Sequence, residues 1–533
     1  MARLFCRRDL TIALILVLFA VQVVIRYQSH LDPEIAWQLY AGGRLIDGAV
    51  LYDDIVEINP PLGLWLSAAV AALAREVGMS SALFLKSALL CLTGASVAIS
   101  ARFLAAATDV SAATRHMLTV LIAALMLFLP GTAFGQPEQF AIVLITPWVL
   151  LRWNRLIDRS VPWLLAAAVG LGAALAMWIK PHYAFVLVSI EVTMLFATRN
   201  IRTSLRIETL TVVAFGIAYL VIVRTLWSST LLTTVALYGS RAYIPFFGVP
   251  VEDVAVQLIL PFVLAAIAVV SAPLLSARLL LLRTLLFVAG ATFTCAYVLQ
   301  SGERYQVLPA LHFLALAAGL GVTRVLAGDV SIRTSGWALA VAGGATMAIL
   351  AVFIGASARQ SVPYRGTPFE NVIAAEAPDA EAIFIASTDI ADSFPLVSES
   401  GLVWASRFPS LWFSPHIATK LDDDGRAIDD IARFVLGATI DDLIDFRPDV
   451  VFVDQASERS WYREEPLDYL VFWDTDPRFE SFWKGYERRG ATGDFGVYVR
   501  AAAPVPAPSG SVRDADRADP FGCILADVIN SFC

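Results

Sequence analysis

Two carboxylates open the first loop, in Ser29-His30-Leu31-Asp32-Pro33-Glu34-Ile35-Ala36-Trp37. Asp32 ahead of Pro33, with Glu34 in the following turn, reads as a helix start: a cap, then proline at the first position. A carboxylate there is kept ionised by the positive end of the helix and can act as a general base on an incoming hydroxyl or amine. The plainer account is a capped helix lying at a membrane surface, anchored by Trp37 and Tyr40. A third acid, Glu138, falls in Phe134-Gly135-Gln136-Pro137-Glu138-Gln139-Phe140, where it either caps the next helix or orients a substrate group. Two separated acids of this kind can share a divalent metal or the polar groups of an acceptor. No ligand spacing identifies a metal, and no cofactor is required by any motif.

The bases are equally spare. Lys180-Pro181-His182 follows an apolar run, and Ser301-Gly302-Glu303-Arg304-Tyr305-Gln306 precedes another. Lys180 serves either as a snorkelling lysine or as a point charge for phosphate, with His182 adding a donor. Arg304 can meet a phosphodiester through its fork and Tyr305 through its hydroxyl, unless Glu303 simply neutralises the arginine. Arg241 lies among aromatics in Tyr238-Gly239-Ser240-Arg241-Ala242-Tyr243. The sequence contains no GxxxxGK[ST], no GxGxxG after a strand, no HExxH and no GxSxG. A donor that already sits in lipid therefore fits better than a nucleotide.

The elements that must position these residues are membrane spans. Of the 533 residues 58% are apolar and 16% charged, and the mean hydropathy is +0.68. A soluble chain is less apolar and more charged, and a β-barrel would alternate rather than run apolar. The formal charge of −8, from 39 basic and 47 acidic residues, argues against nucleic acid as a partner. Apolar runs fall near 10–27, 60–77, 82–103, 115–133, 139–153, 161–179, 183–198, 208–227, 253–275, 279–299, 305–323 and 335–356. The first, Leu10–Ile25 after Arg3, Arg7 and Arg8, reads as a signal anchor.

Charge sidedness decides which runs cross, because Lys and Arg near span ends stay cytoplasmic. If 60–77 crosses, the clusters Arg102/Arg115, Arg152/Arg155/Arg159, Arg199/Arg202/Arg206, Arg278/Arg283 and Arg324/Arg333 fall outside. If it does not, all of them fall inside. Pro60-Pro61 opens that run and Arg75-Glu76 closes it, so Pro61–Val77 is expected to lie in the outer interface. The expectation is a polytopic α-helical membrane protein of about eleven spans, with its amino terminus cytoplasmic, placed in the plasma (inner) membrane. The outer face then collects Asp32, Glu34, Asp53, Asp54, Glu57, Glu138, Lys180, His182, Arg241, Glu303, Arg304 and Tyr305.

Beyond the bundle (1–356) the composition becomes soluble. Glu381–Ser387 and Asp449–Asp454 read as buried strands, Asp423–Phe446 as helical and Phe495–Arg500 as a last strand. Residues 357–500 are expected to form an extracytoplasmic α/β domain, and 501–533 a disordered tail. Cys91 and Cys295 are expected in the core. Cys6 precedes the first span, and Cys523 and Cys533 can pair if the tail is extracytoplasmic.

The pattern resembles the GT-C superfamily of integral-membrane glycosyltransferases, in particular the protein O-mannosyltransferases and the lipid-A aminoarabinose transferases. The resemblance rests on the acidic first loop (Asp32, Glu34), on Glu57-Ile58-Asn59-Pro60-Pro61-Leu62-Gly63-Leu64-Trp65-Leu66, on Gln136-Pro137-Glu138 and on Arg304-Tyr305-x-x-Leu308-Pro309-Ala310-Leu311. It covers roughly residues 9–356. The chain departs from the family in three places: Pro33 interrupts the adjacent acidic pair, Asn59 replaces the lysine before Pro-Pro, and the second acid is Glu. The resemblance implies a GT-C-like bundle and transfer of a sugar from a polyprenyl-phosphate carrier to a lipid, glycan or protein acceptor at the outer face. It implies Asp32 as base with Glu34 as substitute, and Glu138 orienting acceptor or metal. Glu57 and Asn59 would support the first loop, and Lys180, His182, Arg241, Arg304 and Tyr305 would meet the donor phosphate. A transporter or lipid flippase, or a non-catalytic scaffold built on the same bundle, are the rival readings. Glu191, inside an apolar run, is the residue that speaks for transport.

Overall fold

The computed structural model describes residues 8–106, 110–271, 280–327, 355, 366–422, 424–459, 461–462 and 466–501. The expected span at 335–356, the tail beyond 501, Cys6, Cys523, Cys533, Arg278 and Arg333 lie outside them. The helices are α1 (Arg8–Gln28), α2 (Pro33–Ile46), α3 (Leu62–Glu76), α4 (Ser81–Leu104), α5 (Ala112–Phe128), α6 (Pro137–Leu156), α7 (Trp163–Ile179), α8 (Ala184–Thr198), α9 (Ile207–Leu231), α10 (Val251–Ser271), α11 (Leu280–Tyr297), α12 (Leu308–Leu326) and, later, α13 (Asp430–Phe446), with shorter helical turns between. The chain divides into two compact units, one of Met1–Asp32, Met79–Val221 and Gly248–Pro363, the other of Pro33–Gly78, Ile222–Phe247 and Tyr364–Cys533.

The first unit is a helical bundle. Among the described residues five segments are long and apolar enough to cross a membrane: Arg8–Gln28, Ser81–Leu104, Pro181–Thr198, Ile207–Leu226 and Arg304–Arg324. Ala112–Phe128, Trp163–Ile179 and Asp253–Ala268 are shorter apolar helices. Serines start two of the helices, the Ser80 hydroxyl accepting from Leu83 N at 3.3 Å and that of Ser111 from Thr114 N at 3.2 Å, which satisfies a free helix donor. Residues 306–323 of the Arg304–Arg324 segment are buried without a break, as an all-round apolar helix must be. Its one imidazole, His312, meets the Thr146 hydroxyl of α6 at 3.0 Å.

Two contacts fix how the chain enters this bundle. Lys86 Nζ, at the start of α4, donates to Ser29 O, at the end of α1, at 2.6 Å. Thr11, near the start of α1, bonds His116, near the start of α5, at 2.8 Å. The end of α1 and the start of α4 therefore lie at the same end of the bundle.

The arginines at the other end are not all plain surface charge. Arg152, fully buried, donates to Glu208 at 2.9 Å, to Glu191 at 2.8 Å and to Thr203 O at 2.9 Å. Arg155 adds a forked pair to Glu208 at 2.9 and 3.1 Å. Gly170 of α7 lets α9 approach this closely, since a Cβ there would lie 2.4 Å from Glu208 O. Glu191 is thus a partner of Arg152. Cys295 is buried as expected, but Cys91 is exposed. It sits in a groove lined by α1 and α4, so an apolar run did not guarantee burial.

The second unit joins α2 and α3 to an α/β domain. Gly42 of α2 packs on the backbone of α3, a Cβ there falling 2.6 Å from Ala68 N. The pair is tied to the sheet domain by Trp404 N donating to the Tyr40 hydroxyl (2.9 Å), by Val56 N to Arg407 O (2.8 Å) and by the Trp37–Phe394 ring contact. The sequence reading sets these two helices with the bundle, whereas here they share a compact unit with the sheet. The sheet runs β2 (Val403–Trp404), β1 (Ala382–Ala386), β3 (Val450–Asp454), β5 (Phe495–Arg500), β4 (Tyr486–Thr492). β1 is parallel to β2 and β3, with Ile383 opposite Val450, and the β4–β5 hairpin is antiparallel. β1 and β3 are buried along their whole length, as central parallel strands are. They match the two apolar runs, and β5 matches Phe495–Arg500. β2 and β4 were not anticipated: one is two residues long and the other, Tyr-Glu-Arg-Arg-Gly-Ala-Thr, is mostly exposed.

One carboxyl of this domain is held out of its usual range. Burial pushes the Asp392 carboxyl up to about 6; a hydrogen bond from Ser387 at 2.5 Å opposes the rise, and Asp389 and Asp454 reinforce it. A carboxyl raised in the folded state favours folding while protonated and costs stability as pH climbs from about 4 through 6. Asp392→Asn should therefore stabilise the fold at pH 8, by no more than about 3 kcal/mol, and so raise the thermal midpoint there while leaving it unchanged at pH 4. Thermal scans of the full chain at the two pH values check this.

Candidate functional site

The bundle gathers side chains from four separate segments at one end. Asp32, just past α1, accepts from Gln136 Nε2 at 2.7 Å through Oδ1. Gln136 is the extended residue before α6, and Pro137 opens that helix, so Glu138 falls in its first turn and points inward, fully buried. Lys180, the extended residue between α7 and the turn Pro181–Tyr183, donates to Glu138 Oε1 at 2.5 Å. Its ammonium also lies 4.9 Å from the centre of the Tyr305 ring, within cation–π range. Tyr305 belongs to the short helix Arg304–Val307, which Glu303 starts through a reciprocal capping box with Gln306. Asp32–Gln136 and Glu138–Lys180–Tyr305 are thus two groups of contacts, joined by the Gln136-Pro137-Glu138 backbone.

Within them the charges are unequal. Glu138 and Lys180 neutralise each other, so Lys180 is not the free cation that its sequence position suggests. Glu138 Oε2 is buried without a hydrogen-bond partner among the described residues. The Arg304 side chain is exposed. Glu303 beside it is raised above the usual carboxylate range, chiefly by burial, with Arg304 pulling the other way. His182 is half-buried, lies tilted against the Tyr183 ring with centroids 4.9 Å apart, and keeps Nε2 buried without a partner among the described residues.

Removing one member of the buried Glu138–Lys180 pair strands the other charge. Lys180→Met alone should cost about 2 kcal/mol of stability. Lys180→Met with Glu138→Gln should recover most of that, a coupling that thermal midpoints of the four proteins would measure.

The remaining sequence candidates belong to the second unit. Glu34 lies in the first turn of α2, half-buried. Glu57 is buried and committed: it accepts from Trp37 Nε1 at 3.0 Å, from Asn59 N at 3.1 Å and from Asn59 Nδ2 at 2.8 Å. Asn59 O in turn accepts from the Tyr52 hydroxyl at 3.3 Å. Glu57 and Asn59 therefore hold the loop between α2 and α3 in shape. Arg241, in the wide helical turn Leu232–Tyr243, is exposed. Among the described residues no three His, Cys, Asp or Glu side chains gather as a metal-binding group.

Sequence reasoning missed Gln136 as a site residue and Arg26 altogether. Gln136 stood next to the acid that drew attention, and Arg26 reads as a routine span-end charge. Arg26 is in fact buried, 3% exposed, with its guanidinium 4.3 Å from the centre of the Phe134 ring.

No family model and no curated protein matches this sequence. Among solved structures the chain is similar to ArnT from Cupriavidus metallidurans bound to undecaprenyl phosphate, with a TM-score of 0.57 and 13% identity over 93% of this chain and 99% of that one. It is also similar to the arabinofuranosyltransferase AftD from Mycobacteria, with a TM-score of 0.45 and 15% identity over 93% of this chain. It spans only 40% of the AftD chain. The ArnT likeness shows the fold alone: a helical bundle with a small carboxyl-terminal sheet.

Proposed function

We propose that the protein is a glycosyltransferase that moves a sugar from a polyprenyl-phosphate donor to an acceptor at the outer face of the membrane. The observation that carries the reading is the pair of contact groups, Asp32–Gln136 and Glu138–Lys180–Tyr305, that the Gln136-Pro137-Glu138 segment joins in a GT-C-like bundle. The undecaprenyl phosphate bound to ArnT supports a polyprenyl-phosphate partner here. In this reading the amino terminus is cytoplasmic in the plasma membrane, and the site and the sheet domain face outward.

Asp32 takes the proton of the acceptor hydroxyl or amine as that atom attacks the anomeric carbon. The bond from that carbon to the phosphate oxygen breaks, and the phosphate leaves with the electron pair. Arg304 and the Glu138-bound Lys180 offset the charge that builds on the leaving oxygen, the kind of fixed electrostatic help that lowers such barriers most. Glu138 orients the acceptor through its second oxygen. Glu34, at the start of the neighbouring helix, is the alternative base. A chelator added before the donor tests whether a divalent ion assists.

Purified protein incubated with a panel of polyprenyl-phosphate sugars should release free carrier phosphate from one of them and label an acceptor. Lipid-linked sugar crossing vesicles without bond cleavage would instead favour transport. A wild-type protein that neither cleaves nor moves any donor would leave a scaffold.

A further inference from the structure

Asp32 lies just beyond the end of α1, on irregular chain. No helix or strand aims its carboxylate, yet a general base works only when it is aimed at the proton that it takes. Gln136 does the aiming, through its 2.7 Å bond to Oδ1. Gln136 itself closes a loop, 129–136, between α5 and α6. The direction of Asp32 therefore depends on what holds that loop.

Three buried side chains hold it. Gln139, in the first turn of α6, accepts from Gly135 N at 2.8 Å and donates to Met126 O at 3.3 Å. Gln22 of α1 donates to Leu127 O, in the last turn of α5, at 2.8 Å. Arg26, one turn further along α1, sets its guanidinium 4.3 Å from the centre of the buried Phe134 ring. Positions four apart share a helix face, so one edge of α1 grips both the end of α5 and the loop beyond it. Arg26 Nε and Nη2 have no hydrogen-bond partner among the described residues, and the ring face is what the cation meets. Such a contact gains strength away from water. Gly135 follows with φ +95°, a left-handed turn that glycine takes freely, and Gln136 comes next. The contacts close a ring: Arg26 and Asp32 stand on one segment, Phe134 and Gln136 on the other, and the two segments meet twice.

We infer that Arg26 is a positioning residue for the base: its clamp on Phe134 fixes the loop that carries Gln136, and Gln136 fixes Asp32. The inference rests on the glycosyltransferase reading for the role of Asp32. Arg26 touches no reacting atom and acts through two other residues. Its loss therefore slows the chemical step and leaves donor affinity alone. A residue that itself held the donor would show the opposite split.

Amide hydrogen exchange on the full chain tests the clamp without substrate. Gly135 N is bonded to Gln139 Oε1, and Gln136 N to Ala133 O at 3.1 Å. Arg26→Gln and Phe134→Leu should each speed exchange of these two amides roughly tenfold. Arg26→Lys, which keeps a cation over the ring, should not. The second measurement is release of undecaprenyl phosphate from whichever undecaprenyl-phosphate sugar the wild type cleaves. Arg26→Gln should lower kcat about tenfold with KM little changed, and Arg26→Lys should recover most of the loss. Adding Gln136→Ala to Arg26→Gln should cost little more, because both act through the aim of one carboxylate. If Arg26→Gln does not fold, Phe134→Leu decides by the same two measurements.

The proposal is overturned if loop exchange stays at the wild-type rate in the folded variants, or if Arg26→Gln raises KM at unchanged kcat. It also falls if the losses from Arg26→Gln and Gln136→Ala multiply. Wild-type transfer with loop exchange indifferent to Arg26 would end this inference and leave the transferase reading standing. Arg26-dependent exchange in a protein that transfers nothing would end that reading and leave the clamp on the loop.

Discussion

Asp32→Asn should lower sugar transfer by about 10²- to 10⁴-fold, the usual worth of a general base, with no change in thermal midpoint. Asparagine keeps the shape of the side chain, and its carbonyl can still accept the 2.7 Å bond from Gln136. Only the ability to take a proton is lost. Carrier release, measured under saturating donor, should show the loss in kcat with KM little changed, because donor binding does not call on this carboxylate. Gln136→Ala removes the clamp but leaves the base, so it should cost kcat about tenfold through misplacement alone. Glu34→Gln is the control. If it abolishes transfer while Asp32→Asn does not, the base is the acid in the first turn of α2.

The acids and bases at one end of the bundle were legible because membrane sequences punctuate themselves. Long apolar runs mark the helices, and charges between runs must sit at ends. Arginine sidedness was the ground for expecting 60–77 not to cross, and the Lys86–Ser29 contact places the end of α1 beside the start of α4. What spacing could not supply was pairing. Lys180 and Glu138 are 42 residues apart, and nothing local says that each cancels the other. Glu57 looked like a surface acid of a functional loop, but three hydrogen bonds occupy it. Arg26 failed for the opposite reason. Its position at the end of an apolar run is where arginines ordinarily snorkel, and only packing against Phe134 reveals that it is buried. In the sheet domain, the buried strands announced themselves by apolar runs, while the exposed β4 had no pattern to read.

The far end of the bundle carries the largest structural dependence. Glu208→Ala should lower the thermal midpoint by roughly 10 °C, from a loss of about 3–5 kcal/mol for stranding a buried partner. Glu208 is completely buried and receives three hydrogen bonds, one from Arg152 and two from Arg155. Without it, Arg155 has lost both of its ion-pair bonds there, and Arg152 keeps Glu191 and the Thr203 carbonyl. Glu191→Gln should therefore be milder, since Glu191 is partly exposed at 17% and receives one hydrogen bond from Arg152. Gly170→Ala should resemble Glu208→Ala, because the added methyl meets Glu208 O at 2.4 Å and must push α7 away from α9. The three variants, ranked by thermal midpoint, separate an ion network that locks helices from a pathway for protons or ions. A transport role predicts that Glu191→Gln changes flux with little effect on stability. A locking role predicts that stability follows the number of stranded bonds, with Glu208→Ala losing most.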